Sequence, residues 1–190
     1  IFSIEDNELY EAIRQLSDMK ENPDYTKYDI QKAQENLTAC TKKLTKLSES
    51  HHLSRLYWWS AEYGLIGSIN NPLIYGAGLL SSLEESQEAF TEKVALKEFN
   101  INCMHQAYDI THAQPQLFIT PNFTKLTETL NEFEKNMCFQ VGGVSSLDTA
   151  QQAKAVTTTQ LNSGIAASGT LSQYKTNTDG KVIFLAWQGP

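Results

Sequence analysis

One stretch of this chain, residues 57–65, combines four aromatic side chains with a single carboxylate. Its sequence is YWWSAEYGL, and the carboxylate belongs to Glu62. A charged side chain among Trp and Tyr rings is costly to bury unless a cation or hydrogen-bond donors compensate it. The stretch predicts a buried helix, Ser54–Leu65, that is apolar on nearly all sides and carries Glu62 as a candidate functional residue.

Two further blocks have an unusual composition. Residues 74–82, IYGAGLLSS, form a glycine-rich turn followed by two hydroxyls, and residues 114–121 read QPQLFITP. Together with residues 57–65, these blocks resemble the catalytic domain of the aromatic amino acid hydroxylases, in particular the phenylalanine 4-monooxygenase branch. The resemblance covers roughly residues 5–145. With the tail that follows, the chain is most similar to the longer bacterial members.

The resemblance implies a set of site residues around an iron(II) ion. Glu62 would be a metal ligand, and Tyr57 would be a catalytic residue close to the iron. A ligand set of two histidines and one carboxylate suits iron(II) and leaves positions open for dioxygen. The amino acid pocket would be lined by Trp58, Tyr63, Gly78 and Ser81. An iron-bound histidine would be oriented by hydrogen bonds with Ser81 and Glu85.

The histidine half of that ligand set is not visible in this sequence. The family has a His-x4-His motif, and the four histidines here, His51, His52, His105 and His112, have no such spacing. Adjacent residues of a helix point to different sides, so His51 and His52 do not share a metal easily. We expect residues 1–145 to be the C-terminal part of a hydroxylase catalytic domain, with the histidines upstream and the chain alone inactive.

The resemblance also implies a reaction. The whole protein would convert L-phenylalanine to L-tyrosine, using iron(II), dioxygen and a tetrahydropterin. Two alternatives stay open. The substrate could be tyrosine or tryptophan, or the chain could be a non-catalytic helical interaction domain that uses the apolar seam Ile30–Leu47 to hold a partner.

Composition and charge exclude several other classes. Lys and Arg total 15 against 22 for Asp and Glu, a net charge of −7 without a basic cluster. This balance does not favour binding to nucleic acid or to an anionic membrane. No apolar run reaches the roughly 20 residues of a membrane span. Three cysteines, an odd number and far apart in sequence, suit a reducing compartment, so we expect a cytoplasmic protein.

Periodicity predicts a mainly α fold with short β-strands, followed by a small β-rich segment over residues 150–190. Leu9, Ile13 and Leu16 predict a first helix capped by Asp6 or Asn7. The seam Ile30–Leu47 predicts a second helix that forms an antiparallel hairpin with the first.

The remaining predicted elements are less regular. The last predicted strand, Lys181–Trp187, would leave an open sheet edge, which invites pairing with a copy of the chain or with further chain. The predicted helices are Ser82–Phe90, Thr91–Lys97 and a long helix capped by Asn122 with Leu126, Leu130, Phe133 and Met137 on one face; the predicted strands or extended segments are Leu73–Tyr75, Phe99–Tyr108, Gln116–Thr120, Val156–Leu161, Ile165–Tyr174 and Lys181–Trp187.

Overall fold

The computed structural model describes residues 1–44, 47–110 and 112–189. Thr45 and Lys46, inside the predicted seam, and Pro190, the last residue of the predicted β-rich segment, lie outside the described residues. The chain divides into two compact units: Ile1–His51 with the residues from Val141 onward, and His52–Gln140. As the periodicity predicts, the chain is mainly helical with short strands.

The described secondary structure consists of short to medium elements. None of the helices in the described ranges is both long and apolar enough to cross a lipid bilayer. The α-helices are α1 (Ile4–Glu21), α2 (Lys27–Lys43), α3 (Glu49–Tyr57), α4 (Ala77–Ser81), α5 (Leu83–Glu88), α6 (Phe123–Glu134), α7 (Cys138–Val141) and α8 (Gly143–Ala153). The strands are β1 (Gly64–Ser68), β2 (Asn71–Ile74), β3 (Ala95–Glu98), β4 (Gln116–Thr120), β5 (Val156–Gln160), β6 (Ala166–Thr176) and β7 (Val182–Gln188).

The first helix begins earlier than the sequence predicts. Ser3, rather than Asp6 or Asn7, caps α1, and the Ser3 hydroxyl accepts a hydrogen bond from the Asp6 backbone. The Asp6 carboxylate accepts in return from the Ser3 backbone N–H at 2.7 Å, which completes a capping box. Leu16 of the predicted apolar stripe is fully buried, as expected for its core-facing side.

The predicted helical hairpin is present. Helix α2 begins after the Thr26 cap and ends at Lys43, so Leu44 and Leu47 of the predicted seam lie beyond the helix. Two residues of the seam, Ala33 and Cys40, are buried, and α2 packs against α1. Lys43, at the end of α2, pairs with Glu8, at the start of α1, at 3.2 Å, as antiparallel helices require. The seam therefore packs inside the hairpin.

The first unit also contains an antiparallel sheet in the order β5-β6-β7. The three strands predicted beyond residue 155 are confirmed within a few residues. Helix α8, which the sequence did not predict, packs on β6. Its buried residues Leu147, Ala150 and Ala153 recur every three positions, and Leu147 and Ala150 pack against Leu171. Small and uncharged residues weakened the helical signal here.

The second unit, His52–Gln140, is built on a sheet in the order β2-β1-β4-β3. Strand β4 pairs in parallel with both β1 and β3. Side chains alternate between the two faces of a strand. Phe118 of β4 accordingly joins one apolar cluster with Leu56 and Trp59, whereas Leu117 and Ile119 join another with Leu65 and Leu79.

Two predictions for residues 91–108 of this unit are wrong. The predicted helix Thr91–Lys97 is a turn that leads into β3, because pairing with β4 overrides local helix propensity. The predicted extended segment Phe99–Tyr108 contains a 3₁₀ helix, Ile101–His105, whose N-terminus is capped by Asn100. The helix with the Asn122 cap is confirmed as α6, and Phe133 is buried on its predicted face.

Candidate active site

The segment around Glu62 is not a continuous α-helix. Helix α3 ends at Tyr57, and the next five residues form a π-helical turn, Trp58–Glu62. The Tyr63 N–H donates to the Trp58 carbonyl at 2.9 Å, five positions back along the chain. Strand β1 then begins at Gly64, so the predicted helix Ser54–Leu65 is wrong at its C-terminal end. Single π turns inside helices are frequent at functional sites.

The π turn places Tyr57 and Glu62 side by side. The Tyr57 hydroxyl donates to Glu62 Oε1 at 2.9 Å. Helical spacing predicts that Arg55 shares a face with Glu62, but the Arg55 guanidinium instead donates to the Met104 carbonyl at 3.4 Å. Tyr57 is 55% exposed, which contradicts a helix buried on all sides. The wider π turn explains why Arg55 and Glu62 do not share a face, because it rotates the residues that follow Tyr57.

The hydrogen bond changes the acidity of the phenol. Donation to Glu62 raises the pKa of Tyr57, and the charge of the carboxylate raises this pKa further. Tyr57 is therefore a neutral donor at physiological pH, and one oxygen of Glu62 has a fixed partner. Because the carboxylate is held at one oxygen, its other oxygen, Oε2, has a defined direction.

Glycines form the wall opposite Glu62. A Cβ atom on Gly78 would lie 2.9 Å from Glu62 Oε2 and 3.1 Å from the Tyr63 ring. A Cβ on Gly76 would lie 2.4 Å from the Glu62 carbonyl and 2.6 Å from the Gly64 nitrogen. Distances this short exclude a side chain at either glycine without a shift of its neighbours. The glycine-rich block at residues 74–82 is thus explained by close backbone approach to the π turn.

Trp58 lies in a stack of aromatic rings. Its ring centroid is 4.7 Å from that of Tyr63 and 4.4 Å from that of Tyr108, with interplanar angles of 23° and 9°. The Trp58 indole nitrogen is buried, and no hydrogen-bond partner for it lies in the described ranges. Tyr108 was not predicted as a site residue, because it lies in a loop without any periodic signal. The stack fixes Trp58 and Tyr63 as one rigid wall.

Tyr63 connects this wall to Glu85. The Tyr63 hydroxyl donates to Glu85 Oε2 at 3.0 Å. Burial raises the pKa of Tyr63 to about 12, and the hydrogen bond to Glu85 and the charges of Glu85 and Glu62 add to the rise. Both residues also line a small cleft, together with Leu79 and Leu117. The carboxylate of Glu85 is thereby oriented by a neutral phenol.

The two serines have different local roles. Ser81 is exposed at the end of α4, and its hydroxyl donates to the Gly78 carbonyl at 2.8 Å. The Ser82 hydroxyl accepts from the Glu85 backbone N–H at 3.3 Å and caps α5. The hydroxyl of Ser81 is therefore linked to the wall opposite Glu62 through the backbone of Gly78.

These contacts form two connected groups. Tyr57, Glu62 and Gly78 meet directly, while Trp58 and Tyr63 form the stacked wall beside them. Glu85 joins through the Tyr63 hydroxyl, and Ser81 joins through the Gly78 carbonyl. These contacts place the seven predicted site residues in one neighbourhood of the second unit. The roles assigned to them stay predictions.

The donor set fits an iron ion only in part. Glu62 offers one carboxylate, and over residues 1–44, 47–110 and 112–189 no three His, Cys, Asp or Glu side chains converge as a metal-binding group. Two of the histidines have other neighbours: His51 lies 3.9 Å from Asp6, and His52 lies against His105. A facial set of two histidines and a carboxylate would require histidines from other sequence.

Comparisons with known proteins bear on the family of this chain. The model of the biopterin-dependent aromatic amino acid hydroxylase family matches residues 16–159, more than half of the chain. The phenylalanine-4-hydroxylase of Pseudomonas aeruginosa is 33% identical over 81 residues, which cover 42% of this chain and 31% of that protein. The tyrosine 3-monooxygenase of Schistosoma mansoni is 33% identical over 86 residues, which cover 45% of this chain and 18% of that protein.

One solved structure has a similar level of sequence identity to this chain. The phenylalanine hydroxylase of Chromobacterium violaceum bound to cobalt is 28% identical, with a TM-score of 0.40; the match covers 53% of this chain and 35% of that one. The chain spans a third or less of the length of the curated relatives named here. The extent of the family match nevertheless decides its membership: this chain belongs to the biopterin-dependent aromatic amino acid hydroxylases.

Proposed function

We propose that the whole protein is an iron- and tetrahydropterin-dependent monooxygenase that hydroxylates L-phenylalanine to L-tyrosine. The observation that carries the proposal is the position of Glu62, held by Tyr57 at one oxygen and facing the side-chain-free wall at Gly78 with the other. When bound, iron(II) and the pterin would supply the activation of dioxygen. Residues 1–145 would contribute the C-terminal part of the catalytic domain, and residues 150–190 would begin a β-rich extension.

In this proposal Glu62 binds the metal through the oxygen that Tyr57 leaves available. The phenol of Tyr57 stays a donor because the carboxylate raises its pKa, so it limits the rotation of Glu62 about its terminal bond. Pre-orienting a ligand lowers the entropy lost when the metal binds. The other two ligands would be histidines that the described part of the chain does not supply.

The aromatic wall would bind and orient the substrate. Trp58 and Tyr63 are stacked and cannot rotate independently, so they present a flat apolar surface against which an aromatic ring can pack. Gly78 leaves the backbone accessible on the side of Glu62. Ser81 and Glu85 would orient an iron-bound histidine, since the outer partners of a metal ligand fix its ring.

The proposal that phenylalanine is the substrate goes beyond the family assignment. Relatives of similar identity act on phenylalanine or tyrosine according to their names, so the amino acid must be tested directly. The alternative of a helical interaction domain has lost support, because Ala33 and Cys40 of the Ile30–Leu47 seam are buried and α2 packs against α1. We further propose a cytoplasmic location, which is consistent with the free cysteines Cys40 and Cys103.

The test is a product assay on the whole protein with iron(II), tetrahydropterin and each aromatic amino acid in turn. We expect tyrosine from phenylalanine, at a higher kcat/KM than any product from tyrosine or tryptophan. The 190-residue chain under the same conditions should form no product. Hydroxylation of tyrosine or tryptophan alone would change the substrate, and tyrosine formation by the 190-residue chain would refute the missing-ligand account.

A further inference from the structure

A pair of histidines lies together in the second unit, apart from the contacts that Glu62 makes. His52 is in α3, and His105 is the last residue of the 3₁₀ helix Ile101–His105. Their ring centroids are 5.3 Å apart, and the ring planes are 80° apart. The two residues are distant in sequence, which is why spacing alone gave no ligand motif.

The separation of the rings fits a shared metal ion. Bonds from zinc to imidazole nitrogen are about 2.0–2.1 Å long, so two imidazoles on one tetrahedral ion have ring centroids roughly 5 Å apart. The observed separation of 5.3 Å is close to this value. An edge-to-face contact between two aromatic rings also gives this separation, so binding must be measured.

The backbone on both sides of His105 is tied to the segment that carries His52. The Arg55 guanidinium donates to the Met104 carbonyl at 3.4 Å, and the Trp59 indole N–H donates to the Gln106 carbonyl at 2.9 Å. Met104 and Gln106 flank His105 directly. These two hydrogen bonds hold the 3₁₀ helix against α3 and the π turn that follows it, so the approach of His105 to His52 is fixed before any ion binds.

The surroundings restrict which ion could bind. His105 is exposed and His52 is half-buried, so an ion can enter from solvent and keep part of its water. Along the described ranges, no third His, Cys or carboxylate completes the group. Imidazole suits zinc, copper and nickel, whereas magnesium and calcium prefer oxygen ligands. The guanidinium of Arg55 nearby is positively charged and weakens the affinity.

We propose that His52 and His105 form a two-histidine site for a divalent ion of the zinc, copper and nickel class, which ties α3 to the 3₁₀ helix. Water completes the coordination of the ion. The site is independent of the iron ligand assigned to Glu62 and does not rest on the proposed hydroxylase activity. Because α3 leads into the π turn, an ion bound here clamps the segment that precedes Tyr57.

The experiment is a calorimetric titration of zinc chloride into the 190-residue chain and its variants. We expect a binding phase that weakens at least tenfold in His52→Gln and in His105→Gln. His112→Gln is the matched control, since His112 is an exposed histidine next to Asp109, and it should retain that phase. Glu62→Gln should also retain it, which separates this site from the proposed iron site.

The Tm with and without zinc is a second measurement, which keeps the test valid if His52→Gln perturbs the fold. Zinc should raise the Tm of the unsubstituted chain and of His112→Gln, but not of His105→Gln, whose exposed side chain can be changed without loss of packing. Circular dichroism of each variant without zinc checks that α3 is intact. A zinc phase that stays within twofold in His105→Gln, or the absence of any zinc phase, would overturn the proposal.

Discussion

The Tyr57 hydroxyl lies 2.9 Å from Glu62 Oε1, although the two residues are five positions apart in the chain. The π turn Trp58–Glu62 brings them together by widening the helix at its end. In this chain the turn holds a carboxylate next to a wall of glycine and aromatic rings. The predictions below depend on that arrangement.

The first prediction concerns the acidity of Tyr57. Its pKa is raised by the hydrogen bond to Glu62 and by the carboxylate charge, so the hydrogen bond is fully present below the ordinary phenol range and is lost as pH rises through the raised pKa. Glu62→Gln should lower this pKa toward the ordinary value of about 10. NMR titration of ¹³C-labelled tyrosine, with Tyr57→Phe to assign the signal, measures it.

Glu84→Gln is the control for that titration, since Glu84 is an exposed carboxylate of α5. It should leave the Tyr57 signal unchanged. The same midpoint in Glu62→Gln and in the unsubstituted chain would show that the hydrogen bond does not form in solution.

The second prediction compares the two glycines opposite the π turn. Gly76→Ala should destabilise the fold by about 1–3 kcal/mol or more, because its Cβ would meet backbone atoms that cannot move aside. Gly78→Ala should cost less, since Glu62 Oε2 ends a side chain that can rotate, but that rotation should abolish the pKa shift of Tyr57. Urea unfolding and the NMR titration measure the two effects.

Gly189 provides a control for the two glycine substitutions. A Cβ on Gly189 would meet nothing within 4 Å, so Gly189→Ala should change stability by less than about 0.5 kcal/mol. If Gly78→Ala preserved both the stability and the Tyr57 titration, the close wall opposite Glu62 would be an incorrect description.

The third prediction concerns Tyr63. Tyr63→Phe removes the hydrogen bond to Glu85 but keeps the ring in its stack, and should cost about 1 kcal/mol of unfolding free energy. Because the pKa of Tyr63 is raised to about 12, its contribution is present below pH 10 and is lost as pH rises toward 12. Stability of Tyr63→Phe should therefore fall less steeply over this range.

Tyr75 must be considered in the same measurement. Burial raises its pKa to about 12 as well, so part of the alkaline loss of stability remains in Tyr63→Phe. Only the difference between the two unfolding curves is diagnostic. Parallel curves between pH 10 and 12 would mean that the Tyr63 phenol is not a donor to Glu85 in solution.

The fourth prediction is self-association of the 190-residue chain. Strand β7 lies at an edge of its sheet and carries the exposed side chains Ile183 and Phe184, and open apolar edges invite pairing. Light scattering should give a mass above that of one chain, and Ile183→Lys should reduce it. A monomer at all concentrations would contradict this prediction.

Elements with a strong local signal could be predicted from the sequence. Helices α1, α2 and α6 carry amphipathic stripes and capping residues, and the strands after residue 155 are rich in β-branched and aromatic residues. Strand β3 could not be predicted, because its extended form depends on pairing with β4. The π turn was missed for a related reason: it differs from a helix in spacing and not in composition.

Candidate site residues could be selected from the sequence, but their contacts could not. The blocks at residues 57–65 and 74–82 named Glu62, Tyr63 and Gly78. The contact between Tyr63 and Glu85 and the stack on Tyr108 join residues far apart in sequence, and no periodicity reports such pairs. The presence of chemically distinctive residues is therefore local information, whereas their partners are decided by the fold.

The most direct test of the account is the iron content of the whole protein with Glu62→Gln. The amide keeps the shape of the side chain but removes its charge, so bound iron and hydroxylation should fall together by more than the roughly 10–100-fold typical of outer partners of a metal ligand. Glu84→Gln should retain full iron and activity. Full iron occupancy and turnover in Glu62→Gln would contradict the assignment of Glu62 as the carboxylate ligand.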